Sequence, residues 1–421
     1  MRAIPLSAAV ILLAAAHASP ASAAWSSPHV AGPSGTEVRA PAVARSPAGD
    51  VMTVWVRVPR GAGPGSGQVM VRSRPAQGTW GPARRLSGPG TGAPAAAIAP
   101  DGSAAVAFGI RDVLHVARRQ GRRGPWRVER VASGNGHVVD VRIALDARRR
   151  ITVAWSARSG DAHVVRTARR GPRASGRWAY RGDGVVARAR PAIEVAADGR
   201  ALASWAHDGS VHAVPLGGLD PAATRLGSGD DQIPSLALAP GGRAVVGWRV
   251  VLPGGSTVVT ASERGRSGAW RSLGDLGVGS RPEVAIGPRG DAAVVWPVSD
   301  SIGERAGIDG QIRSGTEPWR ATPVVARAAC ECRYVLDGVA VDGRGGPLVV
   351  WHRVRREGGG VVALSARAAA GGPWRSVALR PPPSVGDVAL GVDRVAGAAL
   401  AWSPARTWAA GPLTRLRAGA R

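Results

Sequence analysis

Along most of this chain, short apolar runs alternate with turn residues, and no stretch beyond residue 23 keeps a helical period. The run Pro282-Glu283-Val284-Ala285-Ile286, the turn Pro288-Arg289-Gly290-Asp291 and the run Ala292-Ala293-Val294-Val295-Trp296 form a clean copy of the pattern. A variable loop, a third apolar run and a Gly-x-Trp or its relative complete the unit. The aromatic that ends the second run recurs as Trp55, Phe108, Trp155, Trp205, Trp248, Trp296, Trp351 and Trp402, at intervals of 43 to 55 residues. A second Trp follows as Trp80, Trp126, Trp178, Trp270, Trp319 and Trp374, and the fourth unit lacks it. Second runs such as Val51 to Trp55 and Ala244 to Trp248 are almost continuously apolar, the signature of a strand covered on both faces.

Four short strands in about 45 residues is the period of a β-propeller blade. The expected fold is therefore all-β: a single β-propeller of eight four-stranded blades over residues 24–421, with seven as the alternative count. Trp25 to Gly32 resembles Trp126 to Ser133 and has no first partner of its own. It is expected to serve as the outer strand of the C-terminal blade and close the ring, which removes exposed sheet edges. The Trp series is expected between blades, each ring burying on the order of 200 Å². Sugar-stacking platforms are the rival reading, but a side chain repeated once per blade at fixed offset serves the repeat itself.

Residues 1–23 read as a secretory signal peptide, with Arg2, an apolar core from Ala8 to Ala16, and Ala21-Ser22-Ala23 as the cleavage site. The protein is thus expected to be secreted, extracellular and monomeric, without membrane insertion. All 55 basic side chains are Arg, which excludes Walker-type loops, Schiff-base lysines and Ser-Lys dyads. The formal charge of +26 points toward a polyanion such as an acidic glycan or envelope polymer. The arginines are scattered through every unit, so no specific nucleic acid is expected. Cys330 and Cys332 sit at or beyond ordinary disulfide reach in an extended segment, leaving a strained bridge or free thiols. No metal and no cofactor is expected: two thiols without a His make no zinc site, and Asp300, Glu304 and Asp309 match no calcium loop.

Val38-Arg39-Ala40-Pro41 resembles the Phe-Arg-Ile-Pro element of sialidase-type, Asp-box (BNR) propellers, and Ser73-Arg74-Pro75-Ala76-Gln77-Gly78-Thr79-Trp80 resembles their Asp-box turn. The likeness covers residues 38 to 80, and elsewhere it thins to the Trp and the turn Gly. It implies an arginine triad gripping a carboxylate, with Arg39 and Arg57 at two of its positions, and Tyr334 as nucleophile by analogy. The loop from Val58 to Ser66 holds no Asp or Glu where that family keeps its proton-handling Asp, and Pro75 replaces the Asp of the turn. Arg190-Pro191 and Arg281-Pro282 recur where first strands begin, so Arg39, Arg190 and Arg281 are expected to ring the channel mouth as an anion clamp. Pairing with Glu37, Asp140 or Glu283 is the alternative. The expected ligand site is Arg39, Arg57, Arg190, Arg281, Asp140, Asp337 and His352, in a non-catalytic propeller that binds an acidic glycan. An exo-acting sialidase-type hydrolase and a protein-interaction scaffold are the two alternatives.

Overall fold

The computed structural model describes residues 11–14, 29–30, 36–63, 65–134, 136–172, 177–187, 189–217, 222–230, 232–299, 305–329, 332–355, 360–367, 373–379, 385–392 and 398–404. Among them there is no helix, and every strand belongs to a four-stranded antiparallel sheet. Seven sheets follow one another in chain order, opening with Thr36–Arg45, Ala95–Ile98, His137–Leu145, Ala192–Val195, Ser235–Leu238, Glu283–Ile286 and Cys332–Val341. Consecutive sheets pack face to face, the architecture of a β-propeller.

Beyond the seventh sheet, Val385–Val392 pairs with Ala398–Pro404. The other edge of Ala398–Pro404 takes Ile11–Ala14, which in turn pairs with His29–Val30. The expected N-terminal strand is therefore present as His29–Val30 at the outer position, but it does not meet the C-terminal strands directly. Ile11–Ala14 lies between them, inside the segment read as a leader. A short apolar run suits a leader core and a covered strand equally, and periodicity does not separate the two.

Second strands are buried along nearly their whole length, as their apolar runs require. Ile151–Ser159 is covered from Ile151 to Ala157. The last strands are the exposed ones, Trp270–Val278 among them. Five interfaces collect the two aromatics of one sheet against the preceding sheet: Phe108 with Trp126, Trp155 with Trp178, Trp248 with Trp270, Trp296 with Trp319, and Trp351 with Trp374, while Trp205 of the fourth sheet packs without a second indole. The Trp series is core between sheets. Where indole meets backbone, glycine clears the path. Trp248 Nε1 donates to the Ser228 carbonyl at 2.7 Å, and a Cβ on Gly229 would lie 2.8 Å from its ring. Trp296 repeats this with the Val278 carbonyl at 3.1 Å and Gly277 beside it.

The turn that resembles an Asp-box has its carboxylate supplied from elsewhere. Asp50, 2% exposed, ends the neighbouring hairpin turn and accepts from the Ala76 amide at 3.0 Å. Arg122 from the second sheet donates to both oxygens of Asp50, at 3.0 and 2.9 Å. Asp291 does the same for the Gly315 amide in the sixth sheet, at 2.9 Å. Cys332 is disulfide-bonded, which decides between the bridge and the free thiol, while Cys330 lies outside the described residues.

Candidate functional site

In each sheet the first strand runs past the second in one register. The residue opposite the one before the closing aromatic is Ala42, Ala95, Arg142, Ala192, Ser235, Glu283 and Gly338 in the first to seventh sheets. Most are small. Arg142 and Glu283 interrupt the series, and Glu194 does so two residues further along its strand. Glu283 stands beside Arg281-Pro282 in the sequence, whereas Arg142 and Glu194 belong to no motif and stand out only when units are aligned on the closing aromatic.

These residues border a cavity of about 590 Å³ among the third to sixth sheets, lined also by Asp140, Arg190, Ile233, Arg249 and Arg281. Arg190 grips Asp140 with two bonds of 2.8 and 3.0 Å. Arg142 Nε reaches Glu194 at 3.3 Å, and Arg249 Nε donates to Asp230 at 2.6 Å. Arg281 is exposed and has no ion-pair partner among the described residues. Its φ of 47° just before Pro282 sets the backbone into the strand. Ser235 Oγ donates to Glu283 at 3.1 Å while accepting from the Val284 amide.

Burial controls the carboxyls. Glu283 is pushed up to about 7 by loss of solvent, with Glu194 and Asp337 adding to the push and Ser235 and Arg142 opposing it. Burial also raises Glu194 against the pull of Arg142. Glu194 still has 35% of its side-chain surface accessible, because it borders the cavity while protein surrounds it on the other sides. Asp337 is raised by burial as well, and His352 Nδ1 at 2.8 Å acts the other way.

Of the residues expected at the mouth, the cavity brings together Asp140, Arg190 and Arg281. It does not include Arg39 or Arg57. Arg39 bonds Glu37 at 2.7 Å and Arg57 bonds Gln68 at 2.7 Å, both in the first sheet. The cavity lies among the third to sixth sheets, and both arginines belong to the first. Arg190 and Arg281 immediately precede a proline, whereas Ala40 fills that place in the first sheet, with φ 46°, and Arg39 falls one position earlier. Two of the three alternative ion pairs form, to Glu37 and Asp140; Glu283 bonds Ser235 instead. Asp337 is the residue inserted at a bulge between Leu336 and Gly338, which turns it to His352.

Tyr334 is corrected. It is 8% exposed and packs in the core between the sixth and seventh sheets, its ring 5.2 Å from that of Trp351. A phenol enclosed in that way is not offered to a ligand at the mouth. Asp300, Glu304 and Asp231 lie outside the described residues. Among the described residues no three His, Cys, Asp or Glu side chains converge as metal ligands, and no helix is long and apolar enough to cross a membrane.

No family model matches the chain, and no curated protein matches it in sequence. Its structural similarities are to propeller proteins. It superposes on the WD40 domain of SCAP from fission yeast with a TM-score of 0.50 at 10% identity, over 88% of this chain and 92% of that one. The polysaccharide lyase Uly1 gives a TM-score of 0.45 at 10% identity over 86% and 89%, and the Hadza microbial sialidase Hz136 gives 0.33 at 12% over 87% and 66%. At such identities the likeness speaks for the fold alone.

Proposed function

We propose that this chain is a secreted, non-catalytic, eight-bladed propeller that binds an acidic glycan or another anionic envelope polymer at its mouth. Ring closure is part of the proposal: cleavage after residue 23 removes Ile11–Ala14, and His29–Val30 then closes the exported chain against Ala398–Pro404. The order of contacts supports it: first strands of successive sheets touch in chain order, and Thr36–Arg45 packs against both Val385–Val392 and Ala398–Pro404. Export rests on the leader pattern in residues 1–23.

The observation that carries the binding reading is the cavity wall. Arg142, Arg190, Arg249 and Arg281 border one space, and the guanidinium of Arg281 is not matched by a carboxylate among the described residues. Forked donors of this kind suit carboxylate and sulfate groups. Ile233, 51% exposed at the rim, gives a sugar ring an apolar surface to lie on.

Titration calorimetry with a uronic acid oligomer tests it. The wild type binds, and Arg190→Ala with Arg281→Ala weakens binding at least tenfold, since a hydrogen bond to a charged group contributes about 1.5–3 kcal/mol. Arg39→Ala with Arg57→Ala leaves affinity unchanged. Absence of binding by the wild type, or equal loss in both double variants, overturns the reading and favours the scaffold alternative.

A further inference from the structure

Among the described residues the charges around the cavity pair off, with one remainder. Asp140 holds Arg190, Glu194 holds Arg142 and Asp230 holds Arg249. That leaves Arg281 at the rim and Glu283 two residues further along the same chain segment, lining the same space. When Glu283 is ionised, its charge offsets that of Arg281 in the net balance of the cavity, the two lining it without being paired. When it is protonated, the cavity keeps a net positive charge and gains a carboxylic O–H donor.

We infer that Glu283 is the proton switch of this site: an anionic sugar is held by the form in which Glu283 carries its proton and is released as that proton leaves. The inference rests on the anion-binding reading above and adds its regulation. Every element packed against Glu283 fits the role. The strand Ser235–Leu238 presents only the neutral hydroxyl of Ser235, and the following strand presents Arg249, already held by Asp230. The strand Cys332–Val341 presents Asp337, which is closed on His352. Across the cavity stand Arg142 and Glu194, bound to each other. Among the described residues no cation pairs with Glu283 to hold it ionised; Arg142 draws on it from across the cavity, while Glu194 and Asp337 disfavour its negative charge. A ligand carboxylate entering beside Arg281 acts in the same sense, so ligand and proton bind together by linkage.

The size of the effect follows from occupancy. With a midpoint of about 7, the protonated fraction falls about tenfold between pH 6 and pH 8, and the apparent dissociation constant rises by that factor. The experiment is calorimetric titration of the wild type and of Glu283→Gln with the same uronic acid oligomer at pH 6, 7 and 8. Each variant is first shown to be folded by its circular dichroism. The expected result is about tenfold weaker binding by the wild type at pH 8 than at pH 6, with Glu283→Gln binding equally across the range. A wild type that binds with no pH dependence, or a Glu283→Gln variant that keeps the full dependence, overturns the switch while leaving the anion site standing. Absence of binding at every pH removes the anion site itself. A carbon-13 NMR titration of the Glu283 carboxyl in the wild type provides a check that needs no ligand, and a midpoint near 4.5 contradicts the inference.

Discussion

In the third sheet, Arg149 takes φ 61° at the turn position that Gly49, Gly102, Gly199, Gly242, Gly290 and Gly345 hold in the other units. In each turn the amide of that residue donates to the carbonyl three residues earlier. A side chain in the left-handed region costs about 1 kcal/mol that glycine avoids. Arg149→Gly is expected to raise stability by about 0.5–1 kcal/mol in urea unfolding, despite the gain in chain entropy of the unfolded state. Asp50 is the opposite case. Asp50→Ala strands the Ala76 amide, while the half-exposed Arg122 turns to water, and a loss of about 1–3 kcal/mol is expected in the same assay. Glu283 gives a pH signature. The group titrates near 4.5 in the unfolded chain and at about 7 in the folded one, so the unfolded state ionises first as pH rises. Its contribution to stability is full below 4.5 and declines to its minimum above 7, a change of up to about 3 kcal/mol. Glu283→Gln should flatten unfolding free energy over that window; an unchanged slope would assign it to Glu194 and Asp337.

Among strands, the gap left for an indole decides how closely sheets approach. A Cβ on Gly229 meets Val211 at 2.5 Å and Trp248 at 2.8 Å, so Gly229→Ala should cost about 1–3 kcal/mol, read as a lower Tm. The period of the closing aromatic and the apolar second runs made the sheets legible in the sequence, because covered strands carry a strong and repeated signal. The Gly-Ser-Gly of residues 227–229 and Gly-Val-Gly of residues 277–279 carry the complementary signal at the end of the preceding sheet. Of the seven residues expected at the mouth, Asp140, Arg190 and Arg281 border one cavity, the two arginines each just ahead of a proline. Arg39 stands one position earlier against that proline, in a sheet that does not border the cavity. Tyr334 was misread because an isolated aromatic in a loop-like segment gives no sign of the sheet that will cover it. Glu194 was not singled out, and Glu283 stood only as a partner for the arginines, since a lone acid in an apolar run is conspicuous only when units are stacked in register.

For the whole molecule, charge and site separate. A formal charge of +26 spread over every unit attracts polyanions without selecting among them. Retention on an immobilised polyanion is expected to vanish with added salt, as surface attraction is screened over about 8 Å at physiological ionic strength. It should be indifferent to Arg190→Ala with Arg281→Ala, which removes only 2 of 55 basic groups. Selective binding at the cavity should depend on that pair and survive moderate salt. The measurement that bears most directly on the anion site is a crystal structure at pH 6 with a uronic acid oligomer bound. It should show a ligand carboxylate on Arg281 with Glu283 within hydrogen-bonding distance. A ligand seated on Arg39 and Arg57, or scattered over the outer strands with the cavity empty, would contradict it.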